Sequence, residues 1–344
     1  MRIGIDAMGG DLAPVEVVKG AVAARELLAK GDKVVLIGQQ DAIEACLAQA
    51  TTPADHIEIR HTDQVLGMDE PPVETLRAKP RCSIAVMAEM HRDGEIDACI
   101  SAGNTGACVA AAQMRLRRLR GVHRPGIAII TPTPSGPVAV CDVGANVNCR
   151  PAHLHQYGIM ASVYVNAICG VDEPRVGLMS IGEEEAKGNA LVKETRDLLK
   201  ADRNVNFVGN AEGRDLFSGE YDVIVCEGFV GNVVLKLIEG MATAVGEAVI
   251  RELFAALPEQ AGAITKAGRQ LMNKYDYNEY GGAPLLGVAG ISIICHGASN
   301  YRGIMNAARV AKEFANHQVN QKIVELISQG EADKAASPTR STNA

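Results

Sequence analysis

The sequence predicts an α/β fold in which a mostly parallel sheet carries helices on both faces. Three observations predict it. Short apolar runs suited to buried strands alternate with segments of helical period along nearly all of the 344 residues. A helical segment separates most consecutive runs, as right-handed parallel crossovers require. Hydrophobic residues make up 47% of the chain while aromatics make up 3%, with no Trp, so the core is built from aliphatic side chains.

Residues 1–6 read as the first strand and 14–30 as the helix that returns the chain. Strands at 33–38 and 56–60 enclose a helix at 40–49. A helix at 81–93 leads into a strand at 97–101, and a helix at 105–118 follows. The runs 126–131 and 137–142 are joined only by Pro132-Thr-Pro-Ser-Gly-Pro137, too short for a helical crossover, so they read as an antiparallel hairpin. Helices at 151–169 and 188–201 then alternate with strands at 175–181, 204–209 and 221–226. A helix at 229–256, an apolar run at 284–295 and a helix at 299–317 complete the pattern. The stretch 251–282 breaks the rhythm, and a helical part of about 245–282 is expected to protrude. One domain of 1–330 is expected, with 331–344, polar and charged, as a disordered tail.

The net charge of −7 gives no global basic footprint, and scarce aromatics provide no base-stacking platform, so nucleic acid is not an expected partner. Nine cysteines occur without a C-x-x-C pair. Cys99, Cys141, Cys226 and Cys295 sit in or beside apolar runs and read as small buried hydrophobes in a reducing compartment. No apolar stretch approaches the roughly 20 residues that span a bilayer. A cytoplasmic protein is expected, with any membrane contact peripheral.

Ligands of parallel α/β sheets bind beyond the carboxyl ends of the strands. Those ends carry Asp6-Ala-Met-Gly-Gly-Asp11, Ser101-Ala-Gly-Asn-Thr-Gly-Ala107, Asp142-Val-Gly-Ala-Asn146, Gly182-Glu-Glu-Glu-Ala-Lys-Gly-Asn189, Glu227-Gly-Phe-Val-Gly-Asn232 and His296-Gly-Ala-Ser299. Glycine lets backbone approach a ligand, and Asn, Ser and Thr cap helices whose N–H groups favour anions. Any one such turn is ordinarily just a capped turn. Six of them converging on one sheet edge describe a polar cleft rich in anion-binding amides.

Other chemistries lack their signatures. No G-x-G-x-x-G follows a strand. Lys187 precedes Gly188 instead of following it, and Asn189 stands where a P-loop needs Ser or Thr. The consecutive Glu183, Glu184 and Glu185 cannot all face one ion, and no His/Cys/Asp cluster has metal spacing. No G-x-S-x-G elbow is present.

Taken together, these loops, with Gly228-Phe-Val-Gly-Asn-Val233 and Gly282-Ala-Pro-Leu-Leu-Gly-Val288, resemble the bacterial phosphate acyltransferase family PlsX, in unbroken order from residue 1 to about 318. The resemblance implies a three-layer, Rossmann-like fold similar to phosphotransacetylases and isopropylmalate dehydrogenases. It implies transfer of a fatty acyl group from acyl carrier protein to inorganic phosphate, without a cofactor. A homodimer at the membrane periphery is implied too, its acyl phosphate serving phospholipid synthesis through a downstream glycerol-3-phosphate acyltransferase.

Such chemistry suits these residues, because phosphate is itself the nucleophile and a thiolate leaves readily. Lys187 is the candidate central cation, its alternative being a solvated lysine paired with Glu183 or Glu184. Lys236 is a second cation, and His296 is either an oxyanion donor or a structural histidine. Gly9, Gly10, Ser101, Asn104, Thr105, Asn146, Glu183, Asn189, Asn232 and Ser299 are candidate phosphate and substrate contacts. Asp6 and Asp142 orient donors. Arg115, Arg117, Arg118, Arg120 and Arg124 form a basic run that either docks an acidic carrier or is a solvated face. Ile250, Leu253, Phe254, Leu257 and Ile264 serve membrane contact or dimer packing. Two rivals stand beside this reading: a non-catalytic carrier or lipid sensor, and a decarboxylating dehydrogenase needing NAD and a metal.

Overall fold

The structure is a computed structural model and describes residues 1–274 and 276–336. The first half alternates β1 (Arg2–Asp6), α1 (Val15–Ala23), β2 (Lys33–Gly38), α2 (Gln40–Leu47) and β3 (Ile57–His61). It continues through α3 (Pro72–Ala78), α4 (Ser83–Arg92), β4 (Ala98–Ser101) and α5 (Thr105–Arg115). The hairpin β5 (Gly126–Thr133) and β6 (Gly136–Cys141) leads to α6 (Pro151–Cys169), β7 (Arg175–Met179), α7 (Ala190–Ala201), β8 (Asn206–Ala211) and β9 (Val223–Val225). Then come α8 (Gly228–Ala256), α9 (Ala261–Lys274), β10 (Ala283–Leu286), β11 (Ser292–Ile294), α10 (Tyr301–Asn316) and α11 (Val319–Ala336).

All these strands join one sheet in the order β3-β2-β1-β4-β11-β10-β5-β6-β9-β7-β8. Side chains alternate faces across its whole width, as the period of two requires. Ile3, Ile5, Val34, Leu36, Ala98, Ile100, Ala128, Ala139, Val176 and Val223 point to the layer of α1, α2, α6, α7, α10 and α11. Val35, Ile37, Cys99, Ile127, Val138, Val140 and Ile224 point to the layer of α3, α4, α5 and the start of α8. This is the expected three-layer α/β/α architecture.

Strand direction is where the expectation of a single functional edge gives way. β1, β2, β3, β4 and β11 are mutually parallel, but β10 is antiparallel to both β11 and β5, and β6 is antiparallel to β5. β9, β7 and β8 then run parallel to β6. The sheet therefore has two halves of opposite sense, and the functional turns form two rims instead of one. The cause is the hairpin itself, which reverses the chain before the second set of crossovers begins. The apolar run 284–295, expected as one strand, is two antiparallel strands turning at Gly287 (φ +88°). The short helix α3 was not expected.

No residue from Asn232 to Ala263 is buried, although Val234, Leu235 and Ile238 still pack against the core. α8 and α9 form a hairpin, and Val230, Val233, Leu237, Met241, Val245, Val249, Leu253 and Leu257 make an exposed apolar stripe along α8. Ile264 is buried within the hairpin and Ile250 packs against Gly268, so neither belongs to the outward face. No described helix is long and apolar enough to cross a membrane. Helix α11 occupies 319–336, including the start of the expected tail, and 337–344 lie outside the described residues.

Candidate active site

The first rim is organised by Asp6, buried at the end of β1. One carboxylate oxygen accepts from the Met8 amide at 3.1 Å and the other from the Ser101 hydroxyl at 2.7 Å. Ser101 in turn accepts from the Gly103 amide at 3.0 Å. Burial pushes the Asp6 carboxyl above its ordinary range, opposed by hydrogen bonds from Ser83, Ser101, Met8 and Gly9. A Cβ at Gly9 would lie 2.4 Å from Asp6 Oδ2 and 2.7 Å from the Gly103 nitrogen, so only glycine closes this turn. Gly10, at φ +103°, sits against the Gly297 carbonyl, which also accepts from the Asp11 amide at 2.8 Å.

Asn104 caps α5 by accepting from the Ala107 amide at 3.0 Å, with Thr105 exposed on the first turn. Its amide nitrogen donates to the carbonyls of Met68 (2.8 Å) and Glu70 (3.1 Å). The segment 67–70 is thereby held over the rim, and Glu70 is secured by Lys79 at 2.7 Å. Sequence reasoning passed over this segment. Its turn composition, Gly67-Met-Asp-Glu-Pro-Pro72, was the available signal. His296 is exposed, and Ser299 is buried with its amide donating to the His296 carbonyl. Thus Asp6, Gly9, Gly10, Ser101, Asn104, Thr105, His296 and Ser299 share the first rim.

The second rim is organised by Asp142, fully buried at the end of β6. Its carboxylate accepts from the amides of Ile127, Gly144 and Ala145 at 3.0–3.1 Å and of Asn146 at 2.7 Å. Burial raises this carboxyl too, against those four amides. Gly228 and Gly231 permit α8 to approach, since a Cβ on Gly231 would overlap the Asp142 carbonyl at 1.9 Å. Glu227 caps α8 through the Phe229 and Val230 amides, and Asn232 faces Gly144 from the same helix. Asn146 donates to the Pro125 carbonyl at 2.6 Å and to the Tyr157 hydroxyl at 2.9 Å. Both aspartates are thus occupied by hydrogen bonds from their own turns and neighbouring strands.

The turn after β7 neighbours this rim. Asn189 caps α7 through the Val192 amide, and Asn210 holds the carbonyls of Gly182 and Glu184. Glu183 pairs with Arg214 at 3.4 Å, while Lys200 and Arg196 engage Glu185. Among the described residues no carboxylate forms an ion pair with Lys187, which is exposed to solvent.

Helix α8 runs from one rim to the other. Lys236, nine residues and about 13 Å along the axis from Glu227, brings its ammonium to 3.0 Å from His296 Nε2 while also pairing with Glu239. Lys187 and His296, expected in one centre, belong to different rims. Lys236 is the cation that joins His296.

The thiols beneath the rims are unsuited to attack. Burial pushes Cys108 and Cys295 up to about 12, and Cys141 and Cys226 far above the ordinary thiol range. The basic run divides: Arg115 pairs with Glu89 at 3.0 Å, Arg117 is exposed at φ +66°, and Arg118 donates to the His123 carbonyl.

A family model described as "Fatty acid synthesis protein" matches residues 1–322. A phosphate acyltransferase of Nitratidesulfovibrio vulgaris (strain DP4) is 46% identical over 328 residues, covering 94% of both chains. That of Geotalea uraniireducens (strain Rf4) is 47% identical, covering 95% of this chain and 94% of its own. Among solved structures, a phosphotransacetylase from Streptococcus pyogenes superposes with a TM-score of 0.63 at 14% identity, covering 92% of this chain and 94% of its own, a likeness of fold.

Proposed function

This chain belongs to the phosphate acyltransferase family, and from that premise we propose that it transfers a long-chain fatty acyl group from acyl carrier protein to inorganic phosphate. The products are an acyl phosphate for phospholipid synthesis and the carrier thiol. The observation that carries this reading is the pairing of glycine turns and capped helix starts with exposed cations, above thiols that burial has silenced. Such a site grips an oxyanion and offers no side-chain attacker, so the bound phosphate attacks.

In this reading the phosphate dianion sits among turn amides with an oxygen directed at the thioester carbonyl. A P–O–C bond forms, the tetrahedral oxyanion collapses, and the C–S bond breaks with release of thiolate. Lys187 and Lys236 stabilise the oxyanion and the departing sulfur, and His296, whose Nε2 accepts from the Lys236 ammonium at 3.0 Å, orients that cation. Gly9, Gly10, Ser101, Asn104, Thr105, Asn146, Asn189, Asn232 and Ser299 contact phosphate or acyl donor. The apolar stripe of α8 supports a homodimer, and its distal part around Leu253, Phe254 and Leu257 supports peripheral contact with a membrane, where a cytoplasmic enzyme hands its product to an acyltransferase acting on glycerol 3-phosphate. Incubation with acyl carrier thioester tests the reaction. Thiol release that requires phosphate is expected; binding without release would leave a sensor, and turnover only with NAD and a divalent metal would leave a dehydrogenase.

A further inference from the structure

Beside the second rim lies a cavity of about 630 Å³ lined by Arg118, His123, Arg124, Arg150 and His153 together with Asn148, Cys149 and Ala152. Its basic groups come from two segments distant in sequence: the strand-entry loop before β5, and the turn that opens α6. No carboxylate lines it. Three exposed guanidinium groups around one solvent-open concavity, with no carboxylate among them, give it a positive potential that attracts an anion. The two histidine rings lie 6.3 Å apart. His153 Nδ1 accepts from the Arg150 amide at 3.1 Å, which leaves Nε2 as a donor. Burial, then Arg124, His123 and Arg150, hold that imidazole below its ordinary range and so neutral.

The cavity is far larger than inorganic phosphate needs and belongs to the size class that takes an anion with a chain attached. It also adjoins the chemistry, since Cys149 donates to the Asn146 carbonyl at 3.4 Å and Asn146 is anchored on Asp142. We propose that this cavity holds the phosphate group of the acyl donor's thiol-bearing phosphopantetheine arm, so that the arm runs from it to a thioester at the rims. This rests on the acyl-transfer reading. It narrows the basic run to Arg118 and Arg124, and adds Arg150, which is remote in sequence.

The test compares two small donors, an acyl thioester of phosphopantetheine and the same thioester of pantetheine lacking the phosphate. The wild-type protein is expected to favour the phosphorylated donor in kcat/KM, and Arg124→Gln or Arg150→Gln should each cut that preference by about tenfold. Arg124→Lys, which keeps charge but loses the fork, should cut it less. A wild-type ratio near one, or a ratio that both glutamine variants leave intact, overturns the proposal. A rise confined to the KM for inorganic phosphate also overturns it, assigning the cavity to the other substrate. The acyl-transfer reading fails separately, if acyl carrier thioester and phosphate give no thiol release; should the wild type turn over that thioester but neither small donor, binding replaces turnover as the readout. Calorimetry with free phosphopantetheine against pantetheine then decides the cavity: selective binding of the first supports it, and equal or absent binding rejects it.

Discussion

The two rims are built on the same device and differ in what the device holds. Each begins with an aspartate buried at a strand end, whose carboxylate is raised by desolvation and offset by donors. Asp6 is satisfied largely by hydroxyls and short-range amides, and its neighbour Asn104 binds a distant segment, 67–70. Asp142 instead gathers four backbone amides, one of them, Ile127, from the adjacent strand. The first rim is stabilised through side chains that can be exchanged singly. The second depends on one acceptor, and the exposed Lys187 lies in the next turn of that half. The comparison teaches that the rim beside Lys187 is also the one with less redundancy.

The comparison breaks most visibly at Asp142. Asp142→Ala strands four buried amides and should cost about 4 kcal/mol in urea unfolding, against about 2 kcal/mol for Asp6→Ala. Equal costs would remove the claimed asymmetry. Next comes catalysis: Lys187→Ala should lower kcat/KM by about 100-fold with its melting temperature unchanged, and Lys236→Ala by about tenfold. A larger loss at Lys236 would move the chemical centre to the first rim. Asn104→Ala, losing a cap and the tie to 67–70, should cost about 1 kcal/mol and raise proteolytic cleavage within that segment. If cleavage there does not change, Asn104 does not hold the segment.

The smallest effect is a pH slope. Folded Asp6 binds its proton more tightly than the unfolded chain does, so its stabilising contribution is complete below the unfolded value of 3.8. It is lost as pH rises through the raised folded value. Asp6→Asn should therefore gain on the wild type as pH climbs from acid toward neutrality. Unfolding curves that stay parallel across that range would show that Asp6 is not perturbed.

Much was legible in the chain. Helix 151–169 was read residue for residue, and strands at 33–38 and 126–131 within two residues, because hydrophobic period is a local property. Asn104 and Asn189 were recognisable as caps for the same reason. Even the reversal was written in the short Pro132–Pro137 linker. Its consequence was missed, since a parallel crossover pattern looks identical whichever way the sheet half points.

What the sequence determined by itself was therefore the inventory: which residues form strands, which cap helices, and which strand ends carry glycine and amide donors. Tertiary structure decided their grouping. It divided the turns between two rims, laid α8 across both so that Lys236 reaches His296, and folded Arg150 toward Arg118 and Arg124. Those outcomes depend on strand sense, sheet twist and contacts between segments far apart in the chain, and no local pattern of side chains encodes a direction in space.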